Sequence, residues 1–416
     1  MLGSNVWRRT IGVDRATVIE AVEDDDDGAV VVHVRPRRDS KRSCGRCGVR
    51  APVYDQGEGR RRWRALDQGT VRCFVESDAP RVNCPEHGAT VAQVPWARHG
   101  AGHTRDFDDQ AAWLVTHTAK STLCELLRVA WRTVGAIVDR VVADGRATRD
   151  PLDGLRRIGI DEVSYKKGHR YLLVVVDHDT GRLIHGAVGA TKKTLGEFFD
   201  LLGDDRAAKI TLVSADAAPW IAEVVGERCL NATLCIDPFH VVKWATDALD
   251  KVRRQVWNEA RRSGMKGYAA DLKGARYALW KNPEDLTERQ EAKLAWIAST
   301  NLRLYRAYLI KEQLRAIIAV KGKRALKMLD AWLAWVARCR IPAFVEVGRS
   351  IRNHRAGIEA ALTNNLSNAL VESTNTKIRL LHRMAFGFKK PEHLIALALL
   401  DRGGYCPPLP GRQEVA

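Results

Sequence analysis

The sequence predicts a multidomain α/β protein in which a β-rich, metal-binding segment and a helical pair precede a mixed sheet covered by helices. Paired Cys-x-x-Cys and Cys-x-x-His turns stand near the start of the chain, and strands alternate with helices between residues 157 and 236. From His240 to about residue 360 the sequence is almost wholly helix-forming. The length of 416 residues is enough for about two to four domains.

The charge of the chain favours a polyanionic partner. The formal net charge is +17, and the segment 35–72 alone carries twelve Arg or Lys residues against four Asp or Glu. Such a patch attracts nucleic-acid phosphates, although a solvated surface is the alternative. We expect phosphate contacts from the arginines clustered in this segment, which are Arg60, Arg61, Arg62 and Arg64.

Two short turns predict a zinc site. Cys44 and Cys47 form the first turn, and Cys84 and His87 form the second after a spacer of 36 residues. Three sulfurs and an imidazole can surround Zn²⁺ tetrahedrally, and the metal would supply folding free energy that a small charged segment lacks. Cys73 is an alternative ligand if His87 points away. The remaining cysteines are expected to be structural: Cys124, Cys229, Cys235, Cys339 and Cys406.

Helical periodicity over 106–144, ending at Gly145, contains a candidate DNA-binding motif. Thr122 to Glu125 has the pattern of a capping box that opens a short helix, and a second helix starts at Trp131 after a tight turn. Two such helices suit a helix-turn-helix, and an ordinary helical hairpin is the alternative. In a helix-turn-helix, the candidates for groove or phosphate contact are Arg132, Thr133 and Arg140.

The next segment predicts the mixed sheet. Its strands are expected over 157–164, 171–176, 183–188, 209–214 and 232–236, with helices over 192–203 and 218–227. Asp177 to Gly181 forms the turn of a hairpin between the second and third strands.

Beyond the sheet, apolar residues at core spacing predict packed helices. We expect most of the tryptophans there to lie in a core rather than to stack on bases: Trp280, Trp296, Trp332 and Trp335. A last helical pair over 364–383 and 391–401 precedes a Pro/Gly-rich tail.

Three acidic residues form the candidate catalytic set. Asp161 is expected at the end of the first strand of the sheet and Asp216 after the fourth, where ligands collect in α/β folds. Glu372 lies on a helix with Thr376, Arg379 and Arg383 along the same face. Carboxylates close together repel unless divalent cations hold them, and two such ions can drive phosphoryl displacement. Ordinary turn or cap roles are the alternative, and weaker candidates are Glu162, Asp177 and Asp179.

Asp237 and His240 follow the last strand and form a smaller feature. His240 can orient a catalytic carboxylate or a DNA phosphate, and Asp237 can serve as a further metal ligand. A strand-to-helix turn with a capping Asp explains the same residues, so both interpretations stay open here.

Five ordered motifs carry a family resemblance that covers about residues 44–400. They are Ile158–Glu162, Val213–Asp216, Asp237–Lys243, Val371–Ile378 and Arg383–Phe388. With them the chain resembles the insertion-sequence transposases of the ISL3 family, which carry a zinc-binding segment, a helix-turn-helix and an RNase H-like DDE domain. The resemblance implies that Asp161, Asp216 and Glu372 are the catalytic triad and bind Mg²⁺ or Mn²⁺. It also implies DNA contacts from Lys377, Arg379 and Arg383.

The implied fold is an α/β RNase H-like catalytic domain interrupted by an all-α insertion and preceded by a zinc-binding β-rich domain and a helix-turn-helix. Two departures from the family pattern concern the N-terminal part: His87 replaces a frequent cysteine, and Ala130 replaces a capping serine. The expected domains are 1–95 for zinc and DNA recognition, 96–150 for the helix-turn-helix, 151–240 for the first part of the catalytic domain, 241–360 for the insertion, 361–403 for the closing helices and 404–416 for a disordered tail.

The resemblance implies a DNA transposase that binds terminal inverted repeats, cleaves phosphodiester bonds and transfers the 3′ ends to target DNA. A DNA-binding repressor with an inactive nuclease fold and a structure-selective DNA nuclease are the alternatives. We expect double-stranded DNA and a second copy of the chain as partners, in a homodimer or larger assembly. Since no apolar run approaches the length of a membrane span, we expect a cytoplasmic, nucleoid-associated protein without membrane contact.

Overall fold

The computed structural model describes residues 4–37 and 43–412. The chain folds into two compact units, of which the first combines Met1–Pro151 with Lys377–Ala416 and the second is Leu152–Thr376. The boundary therefore divides the predicted closing segment 361–403. All of the predicted site residues lie in the described ranges, whereas residues 413–416 of the predicted tail lie outside them.

The strands of the described ranges are β1 (Thr17–Asp24), β2 (Val30–Pro36), β3 (Val53–Asp55), β4 (Arg60–Gln68), β5 (Val71–Asp78), β6 (Arg81–Cys84), β7 (Gly88–Val91), β8 (Arg157–Lys166), β9 (Arg170–Asp177), β10 (Leu183–Val188), β11 (Leu212–Ala215) and β12 (Thr233–Ile236). The α-helices are α1 (Ser4–Thr10), α2 (Arg105–His117), α3 (Lys120–Leu127), α4 (Trp131–Thr148), α5 (Lys192–Leu202), α6 (Asp204–Ala207), α7 (Pro219–Arg228), α8 (Pro238–Arg262), α9 (Lys266–Lys273), α10 (Arg276–Trp280), α11 (Glu288–Thr300), α12 (Leu302–Val320), α13 (Gly322–Ala337), α14 (Pro342–Asn353), α15 (Arg355–Asn364), α16 (Ala369–Met384) and α17 (Pro391–Arg402). None of the described helices is long and apolar enough to cross a membrane.

Two small sheets build the N-terminal part of the first unit. Four strands pair in the order β1-β2-β5-β4, and the strands β3, β6 and β7 form a separate three-stranded ribbon. The larger sheet buries Trp63, Val75 and Trp96 in one core, with the two indole rings packed edge to face at 5.6 Å. The ribbon has a much smaller core, in which two of the five buried members are the predicted zinc ligands Cys44 and Cys84.

Three helices follow in the first unit and differ in their ends from the prediction. Helix α3 begins at Lys120 without a side-chain cap, so Thr122 lies inside it and the predicted capping box is wrong. Its last turn ends at Arg128, whose φ of 53° is left-handed and turns the chain sharply. Helix α4 then runs past Gly145 to Thr148.

The start of the predicted disordered tail is held against this part of the first unit. Tyr405 is buried, and its ring lies so close to Gly145 that a Cβ there would come within 2.5 Å of it. The guanidinium of Arg149 stacks over the same ring at 4.9 Å. Aromatic burial and cation–π stacking thus order a segment whose Pro/Gly composition predicts disorder.

The second unit contains the predicted mixed sheet. Its order is β10-β9-β8-β11-β12, with β8, β11 and β12 parallel and β8, β9 and β10 antiparallel. The predicted hairpin between β9 and β10 is confirmed. The sheet packs against α5 and α7 through a core that includes Ile160, Val175 and Phe198.

The rest of the second unit up to residue 364 is helical, as the sequence predicts. Helices α8 to α15 share one core, in which Trp332 is fully buried and its indole N–H donates to the Ile310 carbonyl at 2.9 Å. Trp280, Trp296 and Trp335 pack against the same core, so the expectation of core tryptophans is confirmed.

Candidate functional site

The parallel strands of the second unit place three aspartates at the same level. The last paired residues of β8 and β11 are Gly159 and Ser214, and both Asp161 and Asp216 come two positions later. Ala215 pairs with Ile236, so the next residues, Asp216 and Asp237, are also level. Side chains at the same level of neighbouring parallel strands share a face of the sheet, which makes these carboxylates neighbours.

The structure corrects the predicted position of Asp161 within its strand. Asp161 was expected at the end of β8, but β8 continues to Lys166 through its pairing with β9. The strand that stops there is β11, whose pairing with β8 ends at Ser214. Because β11 is short, its pairing with β8 stops before Asp161, and the β11 side of β8 is unpaired at that residue.

Asp161 occupies an environment that disfavours its negative charge. Its pKa is raised to about 6, first by burial and then by the negative charge of Asp216. Two donors hold the carboxylate: the Asn375 amide donates to Oδ2 at 2.7 Å, and the Glu162 backbone N–H donates to Oδ1 at 2.7 Å. Since Asn375 belongs to α16, this contact brings the first turns of that helix to the sheet.

Glu372 lies in the first turn of α16 and is half-buried. Asn375 is three positions after Glu372, so the two lie on one side of the helix. Asn375 thereby places the turn that carries Glu372 beside Asp161. Near the sheet, the candidate ligand atoms of Asp216, Asp237 and His240 all lie within 4.8 Å of one another. Glu372 and Asp161 lie outside this group.

His240 joins the other two aspartates. Its Nδ1 lies 2.8 Å from Asp216 Oδ1 and 3.1 Å from Asp237 Oδ2. Bonding to Asp216 and then to Asp237 raises the pKa of His240 to about 10, so the imidazole is protonated at neutral pH. Asp237 precedes α8 but caps it with no side-chain hydrogen bond, and it accepts instead from the Asn368 backbone N–H at 3.1 Å. Asp237 therefore holds the N-cap position between β12 and α8 that the capping interpretation gives it, but its carboxylate contacts Asn368 and His240 instead of the free N–H groups of the helix.

A buried asparagine connects the strands below these acids. The Asn368 amide donates to the Ile160 carbonyl of β8 at 3.3 Å, and its Oδ1 accepts from Ser214 of β11. His178 Nε2 lies 2.7 Å from the Ser214 hydroxyl. Sequence reasoning missed Asn368, which precedes α16, and Asn375, which lies within it; both are buried, and their roles depend on the strand residues that they contact.

The weaker acidic candidates separate by their contacts. Asp177 is buried and accepts from the backbone N–H groups of Asp179 and Thr180, as its predicted turn role requires. Asp179 accepts from Arg157 Nε at 2.7 Å. The pKa of Glu162 is raised, first by burial and then by the negative charge of Asp216.

The four predicted zinc ligands come together in the first unit. The Sγ atoms of Cys47 and Cys84 lie 3.6 Å apart, and His87 Nδ1 lies 3.6 Å from Cys84 Sγ and 3.9 Å from Cys44 Sγ. Tetrahedral zinc with Zn–S bonds of about 2.3 Å requires ligand separations of roughly 3.7 Å. Cys73 lies instead in the core of the larger sheet, so His87 is the residue that faces the sulfurs.

The helix-turn-helix exposes the start of its second helix. Helix α4 begins after Ala130, which provides no side-chain cap, and Arg132 is exposed while Thr133 is half-buried. Arg140 is different, because its guanidinium donates to both carboxylate oxygens of the fully buried Asp108 at 2.9 and 3.0 Å. The prediction that Arg140 contacts DNA is therefore not supported.

The predicted arginine cluster on β4 is largely occupied by partners within the unit. Arg64 is buried beside Asp67, so its predicted phosphate contact is not supported. Arg60 and Arg62 are about half-exposed and both pair with Glu76. Arg61 donates to the backbone carbonyl of Ala101.

On α16, Arg379 and Arg383 are exposed, as the predicted helical face requires. Lys377 is half-buried and lies 3.2 Å from Asp401.

Three family models match consecutive parts of the chain. Residues 40–87 match the zinc-finger of the transposases of IS204, IS1001, IS1096 and IS1165, and residues 92–142 match the helix-turn-helix domain of transposase family ISL3. Residues 158–398, more than half of the chain, match the model of the ISL3 DDE domain, described as a transposase. The chain belongs to the ISL3 family of transposases.

Curated relatives of this transposase agree over its whole length. The transposases for insertion sequence element IS1557 from two strains of Mycobacterium tuberculosis, CDC 1551 / Oshkosh and H37Rv, are each 58% identical to it, with 100% of the chain and 99% of the relative covered. The transposase for insertion sequence element IS1001 of Bordetella parapertussis is 22% identical, with 84% of the chain and 86% of the relative covered.

The transposase thus carries a zinc ribbon, a helix-turn-helix and a DDE domain in the order that its sequence predicts. The ribbon match supports zinc as a cofactor, and the four ligating atoms within 4.8 Å of one another agree with it. The DDE domain suggests a divalent metal as well.

Proposed function

We propose that the transposase binds the terminal inverted repeats of its own element, cleaves phosphodiester bonds there and joins the freed 3′ hydroxyls to target DNA. Asp161, Asp216 and Glu372 are the catalytic residues of an RNase H-like domain in which the helices between Pro238 and Asn364 are an insertion. The reaction takes place in the cytoplasm on nucleoid DNA, with two or more protomers holding the ends.

The observation that carries this proposal is the level register of Asp161 and Asp216 with the first turn of α16 held beside them by Asn375. Phosphoryl displacement needs carboxylates that converge on one position, and in this proposal three distant parts of the sequence supply them. Nothing in an ordinary turn or cap role requires Asp161 to be buried next to a second carboxylate.

The residues present fit divalent cations. The carboxylates of Asp161 and Asp216 are neighbours, and the Asp161 pKa is raised by burial and then by the charge of Asp216. A cation would offset the repulsion between the carboxylates, of which the protonated His240, 2.8 Å from Asp216 Oδ1, offsets only a part. Oxygen donors of this kind suit Mg²⁺ or Mn²⁺. When bound, such ions activate an attacking water or hydroxyl and stabilise the leaving oxygen.

The surrounding residues hold the acids in place. Asn375 donates to Asp161 and fixes the orientation of its carboxylate. The protonated His240 ties Asp216 to the buried Asp237 and offsets part of their charge. Asp237 and His240 therefore act as positioning residues, and Asp237 is available as a further ligand.

The first unit recognises the DNA ends in this proposal. Arg132 and Thr133 start the second helix of the helix-turn-helix, where side chains reach base edges and phosphates. Phosphate contacts also come from four exposed or half-exposed arginines, Arg60, Arg62, Arg379 and Arg383. Lys377 lies two positions before Arg379 on α16. Cys44, Cys47, Cys84 and His87 hold one zinc ion that folds the ribbon.

Strand cleavage and joining on a terminal-repeat duplex test the proposal. Asp161→Asn, Asp216→Asn and Glu372→Gln are each expected to lower both activities by about a thousandfold or more, because each removes an oxygen that binds the metal. Binding of the duplex should stay within about twofold of the unaltered protein.

Asp153→Asn is the matched control, since Asp153 is exposed in the same unit. An active Glu372→Gln protein would remove Glu372 from the triad, with Glu162 or Asp237 as the replacement. Cleavage without any joining would favour a structure-selective nuclease, and binding without cleavage by the unaltered protein would favour a repressor.

A further inference from the structure

A cavity of about 560 Å³ lies within the first unit, and none of the candidate catalytic acids lines it. The turn between Cys44 and Cys47, strand β4, the segment 97–101 and the second half of α4 line it. Cavities of this size are in the range that holds small ligands or parts of larger ones. Neither the zinc site nor the helix-turn-helix accounts for it.

The lining of the cavity is strongly basic. Five arginines line it, and the one carboxylate among the lining residues is Asp144. Three of the arginines are matched by carboxylates: Arg98 pairs with Asp109 and Asp144, Arg105 pairs with Asp144, and Arg140 pairs with Asp108. The charges of these three arginines and three aspartates cancel.

The other two arginines, Arg46 and Arg61, have only neutral hydrogen-bond partners among the described residues. Arg46 Nε donates to His99 Nε2 at 3.4 Å. Arg61 Nη2 donates to the Ala101 carbonyl at 2.7 Å, and its guanidinium stacks over the Trp63 ring at 5.2 Å. Two positive charges therefore face the cavity, and no carboxylate of the residues that the structure describes balances them.

A further observation indicates an excess of positive charge at the cavity. The pKa of His99 is lowered by desolvation and then by the charges of Arg46 and Arg61, so His99 stays neutral beside them. Arg98 adds no donor to the cavity, because its unbonded Nη1 is shielded from solvent and lies 3.8 Å from Asp108 Oδ2.

We propose that this cavity binds a phosphate group of the DNA backbone, with Arg46 and Arg61 as its ligands. The inference rests on the DNA binding proposed above and adds a specific contact to it. Guanidinium groups match phosphate oxygens in geometry and charge, and the cavity leaves space for the attached sugar. The contact carries no base information, so it acts on element-end DNA and on unrelated DNA alike.

Salt-dependent binding of the full chain to two duplexes, one element end and one unrelated sequence, tests the contact. Arg61→Gln and Arg46→Gln are each expected to weaken binding to both duplexes by about tenfold. Each should also reduce the slope of log K against log salt by about 0.9, the value for one phosphate. Equal zinc content and equal thermal unfolding show that the variants remain folded.

Arg9→Gln in α1 and Arg15→Gln just before β1 are the matched controls, since both arginines are exposed, lie outside the basic segment 35–72 and do not line the cavity. If the cavity variants bind like these controls, the inference is overturned while the proposed transposase function stands. If the unaltered protein shows no preference for the element end, the proposed end recognition is wrong. The affinity that the cavity variants lose for the unrelated duplex still tests the proposed phosphate contact.

Neutral methylphosphonates placed one at a time in the duplex distinguish a backbone phosphate from a free one. With the methylphosphonate at the contacted position, the unaltered protein and Arg61→Gln should bind equally, because the substitution in the DNA has already removed the phosphate charge that Arg61 contacts. If no position abolishes the difference and inorganic phosphate binds in an Arg61-dependent way, the cavity is a site for free phosphate and the DNA contact is wrong.

Discussion

At the residue scale, the acids of the candidate site were accessible from sequence and their neighbours were not. Asp161 and Asp216 stand out in the sequence because each follows a short apolar run. Asn375 and Asn368 are polar residues within helical or turn segments, and their importance depends on which strand they meet. That information comes from the three-dimensional packing of α16, which no local pattern contains.

Asn375→Ala removes the amide that orients Asp161. We expect cleavage to fall about tenfold or more, because the carboxylate loses a donor and can rotate, while duplex binding changes little. The Mg²⁺ concentration for half-maximal cleavage should rise, which a purely structural defect would not cause. Ser373→Ala is the control, since Ser373 is exposed on the same helix. Unchanged metal dependence would show that Asn375 does not position Asp161.

The raised pKa of Asp161 predicts a pH-dependent stability. Its pKa is about 6 in the folded protein against an ordinary 3.8, so the folded state favours the proton. The residue is therefore unfavourable above about pH 6, by at most about 3 kcal/mol, and the penalty disappears as pH falls toward 4. In magnesium-free buffer, Asp161→Asn should raise the midpoint of thermal unfolding at pH 7.5 and raise it less at pH 5.

Zinc must be retained in that comparison, so no chelator is used. Asp153→Asn should change the midpoint by little at either pH, because Asp153 is exposed. A gain from Asp161→Asn that is equal at pH 5 and pH 7.5 would contradict the electrostatic cause.

At the element scale, strand and helix types in the second unit were predicted well, whereas ends were not. The apolar runs of β9 and β10 predict their strands closely. Strand β8 ends at Lys166, two residues beyond the predicted range 157–164, because pairing with β9 continues through polar residues. In the first unit β1 was missed, since its acidic half is exposed and its pairing with β2 is decided by contacts along the sheet.

Gly159 of β8 permits the close approach of α16. A Cβ there would come within 2.4 Å of a Val371 methyl group and 2.8 Å of His178 Nε2. Gly159→Ala should therefore destabilise the second unit by about 1–3 kcal/mol and lower cleavage, because the turn with Glu372 is pushed away. Chemical unfolding together with a cleavage assay measures both effects.

Gly196→Ala provides the opposite expectation. Gly196 lies within α5, where no atom would obstruct a Cβ, so alanine should stabilise the helix by about 1 kcal/mol. If Gly159→Ala also stabilised the protein, the proposed packing of α16 on β8 would be wrong.

At the scale of the whole molecule, the order of domains was predictable and the division into compact units was not. The two Cys turns and the five ordered motifs determine the sequence of zinc ribbon, helix-turn-helix and DDE domain. The boundary at Thr376 falls inside α16, where nothing in the helical pattern changes. The position of this boundary depends on which other helices and strands each half of α16 contacts.

Zinc removal should affect the ribbon and spare the neighbouring sheet. The ribbon core contains Ala51, Val82 and Ala92 besides two ligands, too little apolar area to fold alone. After chelation we expect Cys44 and Cys84 to be alkylated rapidly by iodoacetamide, as mass spectrometry would show. Cys73 is the internal control, because it is fully buried in the core of the larger sheet. Equal alkylation of all three would mean that the metal holds more than the ribbon.

The common level of Asp161, Asp216 and Asp237 has a genetic consequence. Deleting one codon within β11 would turn the Asp216 side chain to the opposite face of the sheet, because side chains alternate along a strand. Deleting two codons would restore the face but draw the carboxylate back by roughly 6.6 Å. Copies of the element with small in-frame deletions in these strands should therefore be immobile, even though their reading frames stay open and every acidic codon survives.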